Sequence, residues 1–224
     1  MIGTVPSPMT EPSSPFSKPD LPWPEDDRAA DLKVREHGGQ RWVFLLTDKR
    51  LRVFRDDGAG GLTNVGHTDE LADEGYFGWL PDAANGPSID ALEVTFLRRL
   101  RLGVDPSSGA LRAFVLAEVG GYGERPYPLV LLACELDSAN GFAAPRFATA
   151  AEGYAFWNPL AVIAAPGAPL GGQTKKENMP YGIDAFRTLN ELYVYAACGK
   201  TKQVVRLDAT DCYAQGFTNE LEYT

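Results

Sequence analysis

The chain has 224 residues, of which 44% are hydrophobic and 23% are charged, so it can form a sizeable hydrophobic core. Its 30 acidic and 21 basic residues give a net charge of −9, which disfavours a nucleic-acid-binding surface, because such surfaces carry excess lysine and arginine. No apolar run approaches the about 20 residues of a membrane-spanning helix. The first residues also lack the basic and apolar regions of a secretory signal peptide. We therefore expect no nucleic-acid partner and no membrane partner.

The N-terminal segment differs in composition from the rest of the chain. Residues 1–27 hold seven of the 17 prolines and end on Glu25, Asp26 and Asp27. Proline fixes φ and lacks an amide donor, so this composition favours an extended backbone. We predict an extended Pro/Ser-rich arm over residues 1–37 and a single β-rich body over residues 38–224. Deletion of residues 1–27 is expected to leave the body folded.

Short apolar or alternating segments separated by turns follow the arm. They predict strands at 41–47, 50–55, 62–65, 91–104, 111–119, 127–136, 142–147, 155–164, 189–197 and 203–207. Helix signals are confined to 67–75 and to one turn within 181–190. The predicted fold is all-β, an antiparallel β-sandwich or barrel-like body with few short helices. Three strand–turn segments share a similar pattern, but their unequal spacing disfavours a propeller.

The segment 91–104 has the clearest alternation. One face is predicted to be buried: Leu92, Val94, Phe96, Leu100 and Leu102. The other face is predicted to be accessible: Glu93, Thr95, Arg99 and Arg101. Arg98 interrupts the apolar set, which indicates a β-bulge or the rim of the sheet.

No residue pattern points to catalysis, to a cofactor or to a metal. His37 and His67 stand alone, without the spacing of zinc ligands or of a nucleophile–base pair. The three cysteines, Cys134, Cys198 and Cys212, are too few for a disulfide framework and predict reduced thiols, with a Cys198–Cys212 bridge left open. The sequence therefore predicts a protein that is not an enzyme.

Two groups of residues are candidates for binding. In the arm, Phe16, Leu21 and Trp23 are spaced apolar anchors, and Arg99 and Arg101 offer a basic stripe to an acidic partner. The aromatic residues Tyr76, Trp79 and Trp157 are candidates for ligand binding, because exposed aromatic rings suit sugars and interfaces.

These features favour a structural protein of a large assembly, by analogy a tailed-phage virion component for capsid decoration, head–tail connection or the tail. It would dock through its arm onto other subunits, copies of itself and a shell or tail protein, and would be found in the virion, or otherwise in the cytoplasm. The alternative is a non-catalytic carbohydrate-binding β-sandwich or small propeller module.

Overall fold

The computed structural model describes residues 27–68, 94–119, 129–147, 156–157, 180–198, 202–215 and 217–223. The helix predicted at 67–75 lies almost entirely outside these described residues, as does most of the predicted strand at 155–164. Within the described residues, strands dominate and the single helix has four residues. The predicted all-β class with antiparallel sheets is confirmed.

The strands form three antiparallel sheets, in which neighbouring strands follow chain order except that β9 pairs with β7. The first sheet contains β1 (Ala29–His37), β2 (Gln40–Thr47), β3 (Leu51–Asp56) and β4 (Leu62–His67). The second contains β5 (Val94–Val104), β6 (Leu111–Val119) and β7 (Leu129–Leu136), with the short β8 (Arg146–Phe147) and β9 (Phe156–Trp157) both paired to β7. The third contains β10 (Pro180–Arg187), β11 (Leu192–Cys198), β12 (Gln203–Asp208) and β13 (Thr218–Tyr223), with α1 (Cys212–Gln215) before β13.

Local sequence explains how the strands reverse direction. β1 and β2 are joined by Gly38 and Gly39, whose φ angles of 60° and 73° suit the two-residue hairpin turns that follow the twist of a sheet. The predicted hairpin at Asp105–Gly109 is also present, with a hydrogen bond from the Gly109 amide to the Asp105 carbonyl. Because the strands pair in chain order, apart from β9, each sheet is built around a local meander.

The second sheet lies between the other two and is covered on both faces. One face contributes Leu100, Ala113, Val115 and Leu132 to a core shared with Phe44, Leu46 and Leu51 of the first sheet. The opposite face contributes Phe114, Leu116, Leu131 and Ala133 to a core shared with Ile183, Val194 and Val205 of the third sheet. The continuous apolar runs of β6 and β7 follow from this position, because both side-chain parities are buried.

The structure corrects the predicted faces of β5. The register shifts between Leu97 and Arg99, so Arg98 is the extra residue of a β-bulge, as its position in the pattern indicated. A bulge reverses the alternation on either side of it. Leu100 is buried as predicted, but on the other side of the bulge Leu97 is buried and Phe96 is exposed, so the prediction for Phe96 was wrong.

Three strands were missed by the sequence analysis. Residues 29–37 of the predicted arm form β1 and pair along its length with β2. The helical turn predicted within 181–190 is wrong over 181–187, because those residues belong to β10. The third missed strand is β13.

The first strand of each sheet takes part in the contacts between sheets: β5 lies beside both β1 and β10. Sequential four-stranded meanders that stack face to face, with their first strands side by side, are the arrangement of successive β-propeller blades. Three similar sheets therefore follow one another along the chain despite the unequal spacing of the repeated segments. Among the described residues no helix is long and apolar enough to cross a membrane.

Candidate functional site

Charged side chains gather where the three first strands meet. We call Asp31 and Lys33 of β1, Arg101 of β5 and Asp184 of β10 the first-strand cluster. Arg101 joins the three sheets: its Nη1 lies 3.5 Å from Asp31 Oδ2 and its Nε lies 3.3 Å from Asp184 Oδ1. One guanidinium group therefore contacts a carboxylate from each neighbouring sheet.

Asp31 is the anchor of the cluster. Its Oδ1 accepts hydrogen bonds from the Leu32 amide and from Lys33 Nζ, both at 2.8 Å. Its Oδ2 accepts the Leu100 amide at 2.9 Å, on the edge of β5 that faces β1. Asp31 thus satisfies a backbone donor of the second sheet and also holds Arg101. With four donors around it, its own capacity to accept further hydrogen bonds is filled.

The surroundings of Asp31 keep it ionised. Burial by itself would raise its pKa, but the hydrogen bonds from Lys33, the Leu100 amide and the Leu32 amide outweigh burial and hold the pKa below its ordinary value of 3.8. A carboxyl whose pKa is lowered by folding stabilises the protein above its ordinary pKa, and this contribution is lost as the pH falls through the lowered value.

Replacement of Asp31 by asparagine should therefore lower the free energy of unfolding at pH 7 by about 1–3 kcal/mol, the range for hydrogen bonds to charged groups. The difference between wild type and variant should shrink as the pH falls below 3.8, because the wild-type carboxyl becomes protonated there. Urea unfolding followed at pH 7, 5 and about 3 measures this. Asp137→Asn, in an exposed turn, serves as the control and should lower the free energy of unfolding at pH 7 by no more than about 1 kcal/mol.

Arg101 and Asp184 are the members of the cluster that remain available to a ligand. The Asp184 side chain is 81% exposed and that of Arg101 is 32% exposed. Asp184 uses Oδ1 for the Ala185 amide and for Arg101. Asp184 can accept a hydrogen bond and Arg101 can donate one next to it, and the contact with Asp31 fixes the orientation of Arg101.

Of the binding residues that the sequence predicted, Arg101 belongs to the first-strand cluster. Arg101 turns towards Asp31 and Asp184, whereas Arg99 is exposed. Trp157 lies on β9, and its side chain is outside the described part. The arm residues Phe16, Leu21 and Trp23 and the aromatic residues Tyr76 and Trp79 lie outside the described residues altogether.

The residues considered for other chemistry are held in structural contacts. The His37 ring packs edge-on against Phe142, and His67 Nδ1 lies 3.0 Å from the Thr68 carbonyl oxygen. Cys134 and Cys212 are buried free thiols, so the Cys198–Cys212 bridge is not formed. Burial raises the pKa of Cys134 above its ordinary value and that of Cys212 to about 12, which makes both thiols poor nucleophiles. Within the described ranges, no group of three or more His, Cys, Asp or Glu side chains is placed to hold a metal.

Sequence reasoning missed Asp31 and Asp184. Neither belongs to a motif, and both lie on strands that the sequence did not predict. The sequence signal for these two residues was weak. Asp31 precedes Leu32 and Asp184 follows Ile183, and each lies in a short segment that mixes polar and apolar residues.

No protein-family model matches the sequence, and no curated protein matches it. Solved structures do resemble it. An exo-β-1,3-galactanase from Phanerochaete chrysosporium, solved with β-1,3-galactotriose, superposes with a TM-score of 0.50 at 8% identity, covering 88% of this chain and 39% of the galactanase chain. A GH43 β-1,3-galactosidase solved with galactodeoxynojirimycin gives a TM-score of 0.50 at 14% identity, covering 87% of this chain and 61% of that chain. This chain thus spans less than two thirds of either structure, and the likeness is one of fold.

The likeness changes two predictions. The prediction that the protein is not an enzyme is contradicted, because it rested on the absence of a known motif and both similar structures are named as glycosidases. The two structures also favour the alternative interpretation, a carbohydrate-binding sandwich or propeller, over a virion component.

Proposed function

We propose that this protein acts on carbohydrate and binds a glycan at the first-strand cluster. The observation that carries the proposal is the exposed Arg101–Asp184 pair, held by Asp31 where the three first strands meet. The fold that positions the pair is shared with two proteins named for β-1,3-galactoside substrates.

The chemistry of the pair suits sugar hydroxyl groups. Neighbouring hydroxyl groups on a pyranose ring can each donate and accept one hydrogen bond. Asp184 can accept from one hydroxyl, and Arg101 can donate to the next. Both bonds involve a charged partner and are stronger than bonds between neutral groups. Because Asp31 already orients Arg101, little side-chain entropy is lost when a ligand binds.

Hydrolysis of a glycosidic bond is the reaction we assign to the site. Glycosidases use two carboxyl groups, at separations of up to about 9.5 Å. Asp31 and Asp184 contact the same guanidinium group, which keeps their carboxylates within about 9 Å of each other and inside that limit. Asp31, whose pKa is lowered and whose oxygens already accept four hydrogen bonds, fits the part of a charge-stabilising carboxylate rather than that of the acid or the base.

Titration with β-1,3-galactotriose, followed by calorimetry, tests the proposal. We expect saturable binding to the wild-type protein, and binding about 10- to 100-fold weaker for Asp184→Asn, because one charged hydrogen-bond acceptor is lost. Assay of released reducing sugar on the same trisaccharide tests hydrolysis.

The control uses two arginines on the same strand. Arg101→Gln should weaken binding, whereas Arg99→Gln should leave it unchanged, since Arg99 is exposed outside the cluster. Equal effects of the two substitutions would show that general positive charge, rather than this site, binds the sugar. Absence of binding to the wild-type protein would contradict the proposal.

A further inference from the structure

The outward face of the third sheet carries aromatic and charged side chains in two parallel rows. Each row crosses β10, β11 and β12, and neighbouring members of a row are directly paired. The first row consists of Asp184, Tyr195 and Arg206, and the second of Phe186, Tyr193 and Asp208. Because residues directly opposite each other in an antiparallel pair point to the same side of a sheet, the six side chains share one surface, which we call the two-row face.

The two-row face is open to solvent. The Phe186 side chain is 59% exposed, and the two tyrosines are half-buried. The opposite side of the same strands carries Val194 and Val205, which are buried against the second sheet. A group of exposed aromatic residues among polar ones is typical of a binding surface.

Contacts within the face hold the aromatic rings in place. The Tyr193 hydroxyl donates a hydrogen bond to Glu191, and the guanidinium carbon of Arg206 lies 4.7 Å from the centre of the Tyr193 ring. The Tyr195 ring meets the Tyr193 ring edge-on, with the ring centres 6.5 Å apart. Rings that are already ordered lose little entropy when a ligand binds. They offer a flat apolar surface on which the C–H groups of a sugar ring can pack.

The charges of the two-row face favour a neutral ligand. Its two carboxylates and one guanidinium group do not complement a strongly acidic partner. In the first row, Asp184 lies between Arg101 of the first-strand cluster and Arg206, so that a charged chain of either sign would meet a like charge. Sugar hydroxyl groups both donate and accept hydrogen bonds, so they suit carboxylates and guanidinium groups equally.

Asp184 makes the two-row face continuous with the first-strand cluster, because it belongs to both. Neighbouring strands lie about 5 Å apart, which places Tyr195 about 5 Å and Arg206 about 10 Å from Asp184 across the sheet. Phe186 is two residues further along the same strand, about 7 Å away. A sugar unit held by Arg101 and Asp184 would therefore have aromatic rings beside it for the units that follow.

We propose that the two-row face extends the glycan site of the first-strand cluster, so that the protein binds a neutral oligosaccharide of at least two sugar units. One unit lies at Arg101 and Asp184, and the next packs on Tyr195 and Phe186. This inference rests on the proposed function, because the first unit is the sugar assigned to the cluster.

Calorimetric titration of the full chain with galactose, β-1,3-galactobiose and β-1,3-galactotriose tests the extension. We expect the trisaccharide to bind the wild-type protein about 10- to 100-fold more tightly than galactose does. Phe186→Ser and Tyr195→Leu should each lower this ratio about tenfold and leave the affinity for galactose unchanged, because they remove a flat ring outside the cluster. Leu189→Ser, at an exposed turn residue outside the two rows, is the control and should leave the ratio unchanged.

Thermal unfolding followed by circular dichroism shows whether each variant is folded, and Phe186→Leu replaces Phe186→Ser if the latter unfolds. Failure of all three sugars to bind the wild-type protein would contradict the proposed function, and the extension with it. Equal affinities for galactose and galactotriose would retain the cluster as the site and overturn only the extension, as would face variants that keep the full ratio. A wild-type dimer in sedimentation that Phe186→Ser converts to monomer, with the ratio unchanged, would show that the face joins two copies and would also overturn the extension.

Discussion

Replacement of Asp105 by alanine should lower the free energy of unfolding by about 3–5 kcal/mol, because it leaves the donors that this buried carboxylate accepts unsatisfied and removes one of the two carboxylates beside the buried Arg112. Asp105 is fully buried at the β5–β6 turn, where its Oδ1 accepts the amide and the hydroxyl of Ser107. Its Oδ2 accepts the Asp211 amide at 3.2 Å and lies 3.9 Å from Arg112 Nη2. One carboxylate therefore closes a hairpin and joins the second sheet to the third. Together with Glu135, which lies 3.7 Å from Arg112 Nη1, it also neutralises a buried arginine.

The pKa of Asp105 shows how strongly the folded state prefers the carboxylate. Burial alone would raise the pKa, but hydrogen bonds from Ser107 and the charge of Arg112 outweigh it, and the net pKa lies below 3.8. Its stabilising contribution is therefore present at neutral pH and decreases as the solution becomes acidic below that value.

Urea unfolding at pH 7 measures the effect, and Asp137→Ala provides the matched control. Asp137 also closes a turn through its side chain, by accepting the Ala139 amide, but it is exposed. We expect the control to cost no more than about 1 kcal/mol. Similar losses in both variants would mean that Asp105 acts only as a turn residue and does not connect the sheets.

Removal of the Asp27 carboxylate should have an effect of the same size. The Asp27 side chain is fully buried, with Oδ2 lying 2.7 Å from Arg52 Nη2 and 3.6 Å from Arg50 Nε. Asp27→Ala leaves the buried Arg52 without this partner, and we expect a loss of about 3–5 kcal/mol. Asp48→Ala is the control, because Asp48 accepts the neighbouring Arg28 amide in an exposed position.

Two deletions test the same contact from the chain terminus. A protein that begins with methionine followed by Asp27 should unfold at nearly the urea concentration of the full chain. A protein that also lacks Asp27 should unfold at a markedly lower one. Sequence composition alone groups Asp27 with the arm and predicts that residues 1–27 can be removed without effect on folding. Equal midpoints for the two deletions would support that prediction against the structure.

The sequence predicted best those strands whose own residues determine that they form a strand. β2, β6 and β7 carry apolar runs because they are buried on both faces or nearly so. The loop from Asp105 to Gly109 has turn chemistry that is independent of the rest of the fold. Arg98 was recognisable as a bulge because it interrupts an otherwise regular alternation.

The strands that sequence missed are stabilised by contacts between sheets. β1 and β10 are edge strands, with charged side chains where a core strand would have apolar ones. From the sequence alone, Asp31 resembles an ordinary surface charge, because its partners Leu100 and Arg101 on β5 lie about seventy residues further along the chain. The first-strand cluster therefore depends on long-range pairing that no local pattern encodes.

The position of the second sheet between two others affects the order in which the three sheets unfold. Each outer sheet shares an apolar core with the second sheet, so either can in principle detach while the remaining pair keeps a shared core. The second sheet cannot detach without exposing both of its faces at once. Stability in such a stack is a sum of nearest-neighbour terms. The amides of β6 and β7 should therefore be the last to open to solvent, and partial unfolding should begin at the chain ends and proceed inward.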